Sequence, residues 1–473
     1  MNHLGYFAAA QRPVETCVVG SGGFGRSFLA QGLRVPLMRA RIAVDVDASI
    51  AAAGFTALGV PSTDVAVCHT ANEARRAWDD GKFIAAADLA VVVDLPIDVV
   101  VEATGNPEAG ARHSRIAIDA GHHLALVSKE VDSVVGPFLA HWASQRGKVV
   151  TPVDGDQPSL LIGLITWAQA LGFDIIAAGK SSEYDFVYDE AAATMTSNGK
   201  TIAMPRFGPH WALGTRPVSD VARARAQACA ALPQRAVPDL CELLVVANAT
   251  GFLPDRADLH APIARIPEVP SFFGVATEGG LLTRARTLDV FHCLRRPDEA
   301  SFAGGVYVVV RCEDRETWNL LAAKGHVVSR DGQRAMVYLP RHLLGLEAAT
   351  SVLDAAIHGR SSGAPSPRPH LDLIARATRR LHAGTVLAMG GHHHSIEGTA
   401  AELQPASPLG AGVPVPFYLA ANRRLVRDVA AGVAIALDDV EIDPASALLA
   451  LRRQQDECFF GPSDAAATAA TIA

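Results

Sequence analysis

The sequence contains no C-x-x-C pair. Its seven cysteines, at positions 17, 68, 229, 241, 293, 312 and 458, are scattered and odd in number. That excludes a disulfide frame and a thiolate zinc site, and points to buried thiols in a reducing compartment. A basic run is missing too. Lys and Arg number 42 against 49 Asp and Glu, a net charge of −7, so nothing draws nucleic acid or an anionic membrane to the chain electrostatically. No charged segment followed by a long apolar core opens it, so no export signal is read and a cytoplasmic location is expected. One stretch imitates a membrane span, residues 160–178, but it carries Gln169 and Asp174 and is broken by Gly172. A buried helix from Pro158 to about Leu171, followed by a strand over 173–178, explains it better than a bilayer does. There is no internal repeat.

What is present is 473 residues, 49% hydrophobic and 19% charged, a globular chain too long for one core and therefore of two or three domains. Its most informative stretch is Gly20-Ser21-Gly22-Gly23-Phe24-Gly25, after the apolar run Cys17-Val18-Val19 and before helical spacing at Phe28, Leu29 and Leu33. A dinucleotide-binding turn needs that context: Gly20 for the tight turn, Gly22 for approach of the backbone to a pyrophosphate, Gly25 for close helix–strand packing. The diphosphate would lie against the unpaired N–H groups of the helix start. The next strand, Arg41–Val44, ends at Asp45, about 20 residues beyond the turn, where an acid takes the ribose hydroxyls; Asp47 is its rival.

From Val14 to about Val153 strand-like runs alternate with helical ones, the pattern of a doubly wound parallel sheet in an α/β protein. Val99–Val101 leads into Glu102-Ala103-Thr104-Gly105, which adds Thr104 and Gly105 to the expected cofactor contacts at the carboxyl edge. Leu124–Val127 leads into Ser128-Lys129-Glu130, and Lys148–Val150 into Asp154-Gly155-Asp156-Gln157-Pro158. Three strand ends thus deliver polar residues to one edge. The expected domains are a dinucleotide-binding domain over 1–155, an α+β substrate domain over 156–358, a Pro/Ser/Gly-rich linker over 359–369, a small β-rich domain over 370–460 and a disordered tail over 461–473.

Four residues are candidates for chemistry. Lys129 is either a proton donor or oxyanion stabiliser at the nicotinamide side, or a solvated lysine. Asp156 either caps the helix that Pro158 opens or presents a carboxylate to substrate or metal. Lys180 stands at another strand end. His342, with Glu347, precedes an amphipathic helix start in Leu343–Glu347, and either residue can be purely structural. The run His392-His393-His394 is not read as a metal site, because adjacent histidines in a strand face opposite ways.

Together these residues resemble the homoserine-dehydrogenase-like oxidoreductases that carry a C-terminal SAF domain, and within them the 1-deoxy-D-xylulose-5-phosphate reductoisomerase-like branch. The resemblance runs through Gly20–Gly25, Glu102–Gly105, Ser128–Glu130, Gly155–Pro158, Gly179-Lys180, Ala247–Gly251 and Leu339–Glu347. It ends in Gly384–Leu387, Leu425–Val429 and Leu451–Gln454, which match the SAF unit. It implies a Rossmann domain and NAD- or NADP-linked chemistry on a small oxygenated metabolite, with Lys129 on the family's Lys-Glu motif. Reductoisomerisation of 1-deoxy-D-xylulose 5-phosphate would call for Mg²⁺ or Mn²⁺ to hold both oxygens of the rearranging hydroxyketone; the metal ligands are not identified. Dehydrogenation of homoserine or another hydroxy acid needs no ion, and a catalytically silent cofactor-binding protein is the third alternative. Two departures stand out: an SAF-like tail where homoserine dehydrogenases often carry an ACT domain, and Asp45, which would repel the 2′-phosphate of NADPH. The expected partner is a small-molecule substrate, with no nucleic acid and no membrane, in a homo-oligomer.

Overall fold

The computed structural model describes residues 2–391 and 393–461. Contacts gather the chain into two units. The first holds Met1–Ser159, Leu343–Ala388 and the chain from Pro405 onward, and the second Leu160–His342 with Met389–Gln404. The divide falls after Ser159, not at 155, and residues 343–358 go with the first unit. The 370–460 segment is shared between the two units and does not stand apart as a domain. Residues 462–473, the expected disordered tail apart from Gly461, lie outside the described residues.

The first unit is built on strands β1 (Val14–Val19), β2 (Met38–Val44), β3 (Val65–Cys68), β4 (Phe83–Ala86), β5 (Val99–Glu102), β6 (His123–Leu126) and β7 (Val150–Thr151). They form one sheet in the order β3-β4-β2-β1-β5-β6-β7, parallel at every pairing. Parallel strands covered on both faces read as continuous apolar runs, and β1 and β5 are buried along their whole lengths. The helices Gly23–Gly32, Ala48–Ala57, Ala71–Asp79, Pro107–Asp119 and Lys129–Ser144 make the crossovers. This is the α/β class expected. Because β1 sits between β2 and β5, the chain leaves its carboxyl end in two directions, and a crevice opens at that switch point. The core behind it holds Val18, Phe28, Phe55, Val99, Val101 and Ala125.

Two later segments brace this sheet. Leu343–Glu347, expected to begin an amphipathic helix, is a single 3-10 turn over Leu344–Leu346. Tertiary bonds decide its shape: the Leu344 N–H donates to the Gly155 carbonyl at 2.9 Å, and the Gly345 N–H donates to Ser27 Oγ at 3.1 Å. Gly155 has φ +86, and a Cβ there would overlap the Leu344 carbonyl. The second brace is the C-terminal helix Ala447–Phe460. Pro137 interrupts the helix Lys129–Ser144, and the Gln455 amide fills the break, donating to the Val134 carbonyl at 2.9 Å and accepting the Phe138 N–H at 3.2 Å. The Gln455 amide thus bridges the rung between the Val134 carbonyl and the Phe138 N–H beside the proline.

The second unit contains β8 (Ile175–Ser181), β9 (Phe186–Asp189), β10 (Thr194–Ser197), β11 (Lys200–Ala203), β14 (Thr287–Arg295), β15 (Val306–Arg311) and β16 (Arg334–Leu339), numbered with two-residue strands β12 (Leu253–Pro254) and β13 (Ile263–Ala264) between them. The main path is β11-β10-β9-β14-β8-β15-β16, with β8 parallel to β14 and antiparallel to β15. The apolar stretch that imitated a span resolves into the helix Gln157–Ala170 and strand β8. Among the described residues no helix is long and apolar enough to cross a membrane.

Candidate active site

The glycine turn joins β1 to the helix Gly23–Gly32, and each of its three motif glycines is constrained differently. Gly20 has φ +98, and a Cβ there would stand 2.7 Å from the Ala103 carbonyl oxygen. At Gly25 a Cβ would overlap the Gly20 carbonyl, while at Gly22 nothing lies within 4 Å. So Gly20 and Gly25 are glycines for packing, and Gly22 is the one whose missing side chain leaves room in front of the backbone. Gly22 is also the N-cap, with no side chain bonded to the helix start, the arrangement that favours an anion there.

Asp45 stands directly after β2. Its Oδ2 accepts the Ser21 N–H at 2.7 Å and its Oδ1 the Val46 N–H at 2.8 Å. Asp47, the rival, caps the helix Ala48–Ala57 through the Ser49 N–H. A cleft of about 490 Å³ opens here, lined by Gly20, Ser21, Gly22, Asp45 and Thr104, with Asn106, Arg112 and His113 from the far side. Phe24 packs half-buried against the core. The Gly105 N–H donates to Ser128 Oγ at 2.8 Å, tying the end of β5 to that of β6. Gly20, Gly22, Asp45 and Thr104 therefore share one cleft, while Gly25 is packed against the Gly20 carbonyl. Arg112 and His113 were not foreseen, because they reach the cleft from the helix Pro107–Asp119.

At the ends of β6 and β7 the structure joins two of the four catalytic candidates. Lys129, the first residue of its helix, places Nζ 3.1 Å from Asp156 Oδ1. Asp156 also accepts the Gln157 N–H at 3.0 Å, so it serves the helix and the lysine together. Beside them Glu130 is buried, and burial pushes its carboxyl up to about 7 although the Lys129 ammonium opposes this. Glu102, fully buried at the end of β5, accepts the Thr104 hydroxyl at 2.5 Å. A charged amine held by a carboxylate, beside an acid titrating near neutrality, is equipment for stabilising an oxyanion and passing a proton.

Lys180 and His342 belong to the second unit. Lys180 lies inside β8 and is fully buried. Its Nζ meets Asp239 Oδ1 at 3.0 Å and pairs with Glu242. Burial alone would lower its pKa; the facing carboxylates of Glu242 and Asp239 outweigh that and hold it above the ordinary lysine range. Asp239, which also accepts the Ser182 hydroxyl at 2.8 Å, is held below the ordinary carboxylate range by Lys180 against its own burial. Lys180 is thus a fixed cation. Asp239 and Glu242 escaped the sequence reading, although two acids three apart in the otherwise apolar helix Val237–Thr250 were a usable signal. His342 is half-buried against Gly304, where a Cβ would stand 2.8 Å from Nδ1.

Of the histidine run, His392 lies outside the described residues. His393 and His394 occupy the turn between the short strands Met389–Gly390 and Ser395–Ile396, and Asn198 Nδ2 stands 2.7 Å from His393 Nε2. Among the described residues no group of three or more His, Cys, Asp or Glu side chains has the geometry to hold a metal ion, and Asp156 is already bonded to Lys129. The described residues therefore do not compose a divalent-ion site.

No curated protein matches the sequence. Among solved structures, a putative oxidoreductase from Klebsiella pneumoniae superposes with a TM-score of 0.33 at 14% identity, over 75% of this chain and 88% of that one. An inositol dehydrogenase homolog from Azotobacter vinelandii, solved with NADH and myo-inositol, gives 0.27 at 19%, over 39% and 46%. A DOX-P reductoisomerase solved with magnesium gives 0.27 at 19%, over 36% and 46%; the chain spans about half the length of that enzyme. Residues 237–348, the stretch that holds Asp239 and Glu242, match the family model described as the catalytic domain of oxidoreductase DRL. That match spans about a quarter of the chain.

Proposed function

We propose that the protein is an NAD(P)-dependent oxidoreductase acting on a small oxygenated metabolite. The observation that carries this reading is the glycine turn: Gly22 is open where Gly20 and Gly25 are closed, in a cleft that Asp45 and Thr104 also line. Gly20–Gly25 would cradle the pyrophosphate and Asp45 the ribose hydroxyls, a carboxylate that favours NAD(H) over the 2′-phosphate of NADP(H). The bound nicotinamide supplies or accepts a hydride. Lys129 stabilises the negative charge that develops on the substrate oxygen, more in the transition state than in the ground state. Asp156 keeps that ammonium in place, and Glu130 is suited to exchange a proton with it. Homoserine and other hydroxy acids, whose dehydrogenation needs no metal ion, are the first substrates to try, and 1-deoxy-D-xylulose 5-phosphate, which the resemblance in sequence also suggests, the next.

The test is fluorescence titration with NADH. Gly22→Val puts a branched side chain in the open space without touching the packing glycines, so the variant should fold and fail to bind. A folded Gly22→Val protein with undiminished NADH affinity would refute the assignment.

A further inference from the structure

A second hollow in the first unit, about 610 Å³, is larger than the cleft at the glycine turn and shares no residue with it. It lies against β7, the strand that ends the sheet beyond β6. Val150 lines it from the strand, Ala140 from the helix Lys129–Ser144, and Arg360 and Ala364 from the segment 359–365. That segment is fixed where it passes β7. The Ser362 N–H donates to Thr151 Oγ1 at 2.9 Å, and the Ser362 and Ser351 hydroxyls stand 2.7 Å apart. A Cβ on Gly363 would come within 2.9 Å of Pro152. The gap is thus held open between packed walls, and its volume is that of a small-molecule site.

Its charge is of one sign. Lys148 and Arg360 line it and no carboxylate does, in a chain of net charge −7. The nearby Arg146 is paired with Asp119 at 3.5 Å. Among the described residues Lys148 and Arg360 have no such acidic partner, and Arg360 donates to the Tyr6 hydroxyl at 3.4 Å. Two uncompensated cations beside apolar surface suit an anion with a carbon body. A phosphate monoester carries close to two negative charges at pH 7, and its oxygens accept charge-assisted bonds from Arg and Lys. We propose that this hollow binds a small organic phosphate, with the phosphate at Lys148 and Arg360 and the carbon body against Ala140, Val150 and Ala364. The site stands apart from the cofactor reading, because the two clefts have no residue in common.

The probe is phenyl phosphate, with benzoate beside it as the same ring carrying a single charge. Dissociation constants are measured by calorimetry on the full chain at low ionic strength, where such attraction is least screened. Wild type should bind phenyl phosphate about tenfold or more tighter than benzoate, the scale of one charge-assisted hydrogen bond. The double change Lys148→Met and Arg360→Met removes both cations and should weaken phenyl phosphate by at least that factor. Ala140→Phe keeps both cations and fills the space, and it too should lose binding. Thermal midpoints of the unliganded variants should match wild type, since none of the three residues is buried. No binding of phenyl phosphate by wild type would overturn the proposal. So would undiminished binding by the double variant, which puts the anion elsewhere on the chain, or by Ala140→Phe, which reduces it to attraction by surface charge.

Discussion

Replacing Lys180 with methionine tests the buried charge cluster most directly. The side chains of Lys180, Asp239 and Glu242 are 1%, 5% and 1% exposed, so water cannot compensate for a missing charge. Lys180→Met leaves two carboxylates facing each other without a cation. Removing one partner of a buried ion pair costs about 3–5 kcal/mol. For a unit of this size that corresponds to a fall in Tm of about 6–20 °C. The sign of its pH dependence follows from the carboxylates. In wild type Asp239 titrates below its unfolded value, so its contribution is present above about pH 4 and is lost as pH falls through the depressed folded value. In the variant the cation is gone and burial acts on the Asp239 carboxylate without Lys180 to oppose it, so its cost grows as pH rises. The deficit should therefore be largest near pH 8 and narrow toward pH 5. Thermal unfolding followed by circular dichroism at both pH values measures it, and the added change Glu242→Gln should recover part of the loss. A Lys180→Met protein melting within about 2 °C of wild type, or with the same deficit at both pH values, would refute the account.

The other predictions concern the β6 and β7 strand ends. Lys129→Met should lower kcat by about 10²-fold, the effect of losing one oxyanion-stabilising donor, with the NADH dissociation constant little changed; near-normal turnover on an identified substrate would show that Lys129 is a solvated lysine. Glu130 has its folded pKa raised from 4.5 to about 7, so wild type loses stability as pH climbs through that interval, about 3 kcal/mol at most. Glu130→Gln should accordingly gain on wild type between pH 5 and pH 8, read as the difference in thermal midpoint; a difference that does not change with pH would place Glu130 in a more polar setting.

What the sequence by itself determined is everything set within one strand–turn–helix step. The glycine turn was legible because Gly20 takes a positive φ and Gly25 packs against the Gly20 carbonyl, both within the turn itself. The parallel sheet was legible because burial on both faces writes continuous apolar runs into β1, β5 and β6. The convergence of Thr104, Lys129 and Asp156 on one edge followed from alternation alone, since every parallel strand ends on the same side. Tertiary structure decided which groups those residues meet. Lys180 reads as one lysine after an apolar run; only the packing of the helix Val237–Thr250 turns it into a cation fixed by Asp239 and Glu242. Leu343–Glu347 has helical spacing, but its backbone bonds go to Gly155 and Ser27, far away in the chain, and a backbone group spent on a distant partner is unavailable to a helix. Pro137 signals a broken helix, whereas nothing local signals that Gln455 fills the break. Periodicity reports the face a residue turns to the interior; which neighbour waits there depends on contacts that close loops of hundreds of residues, and no local pattern records them.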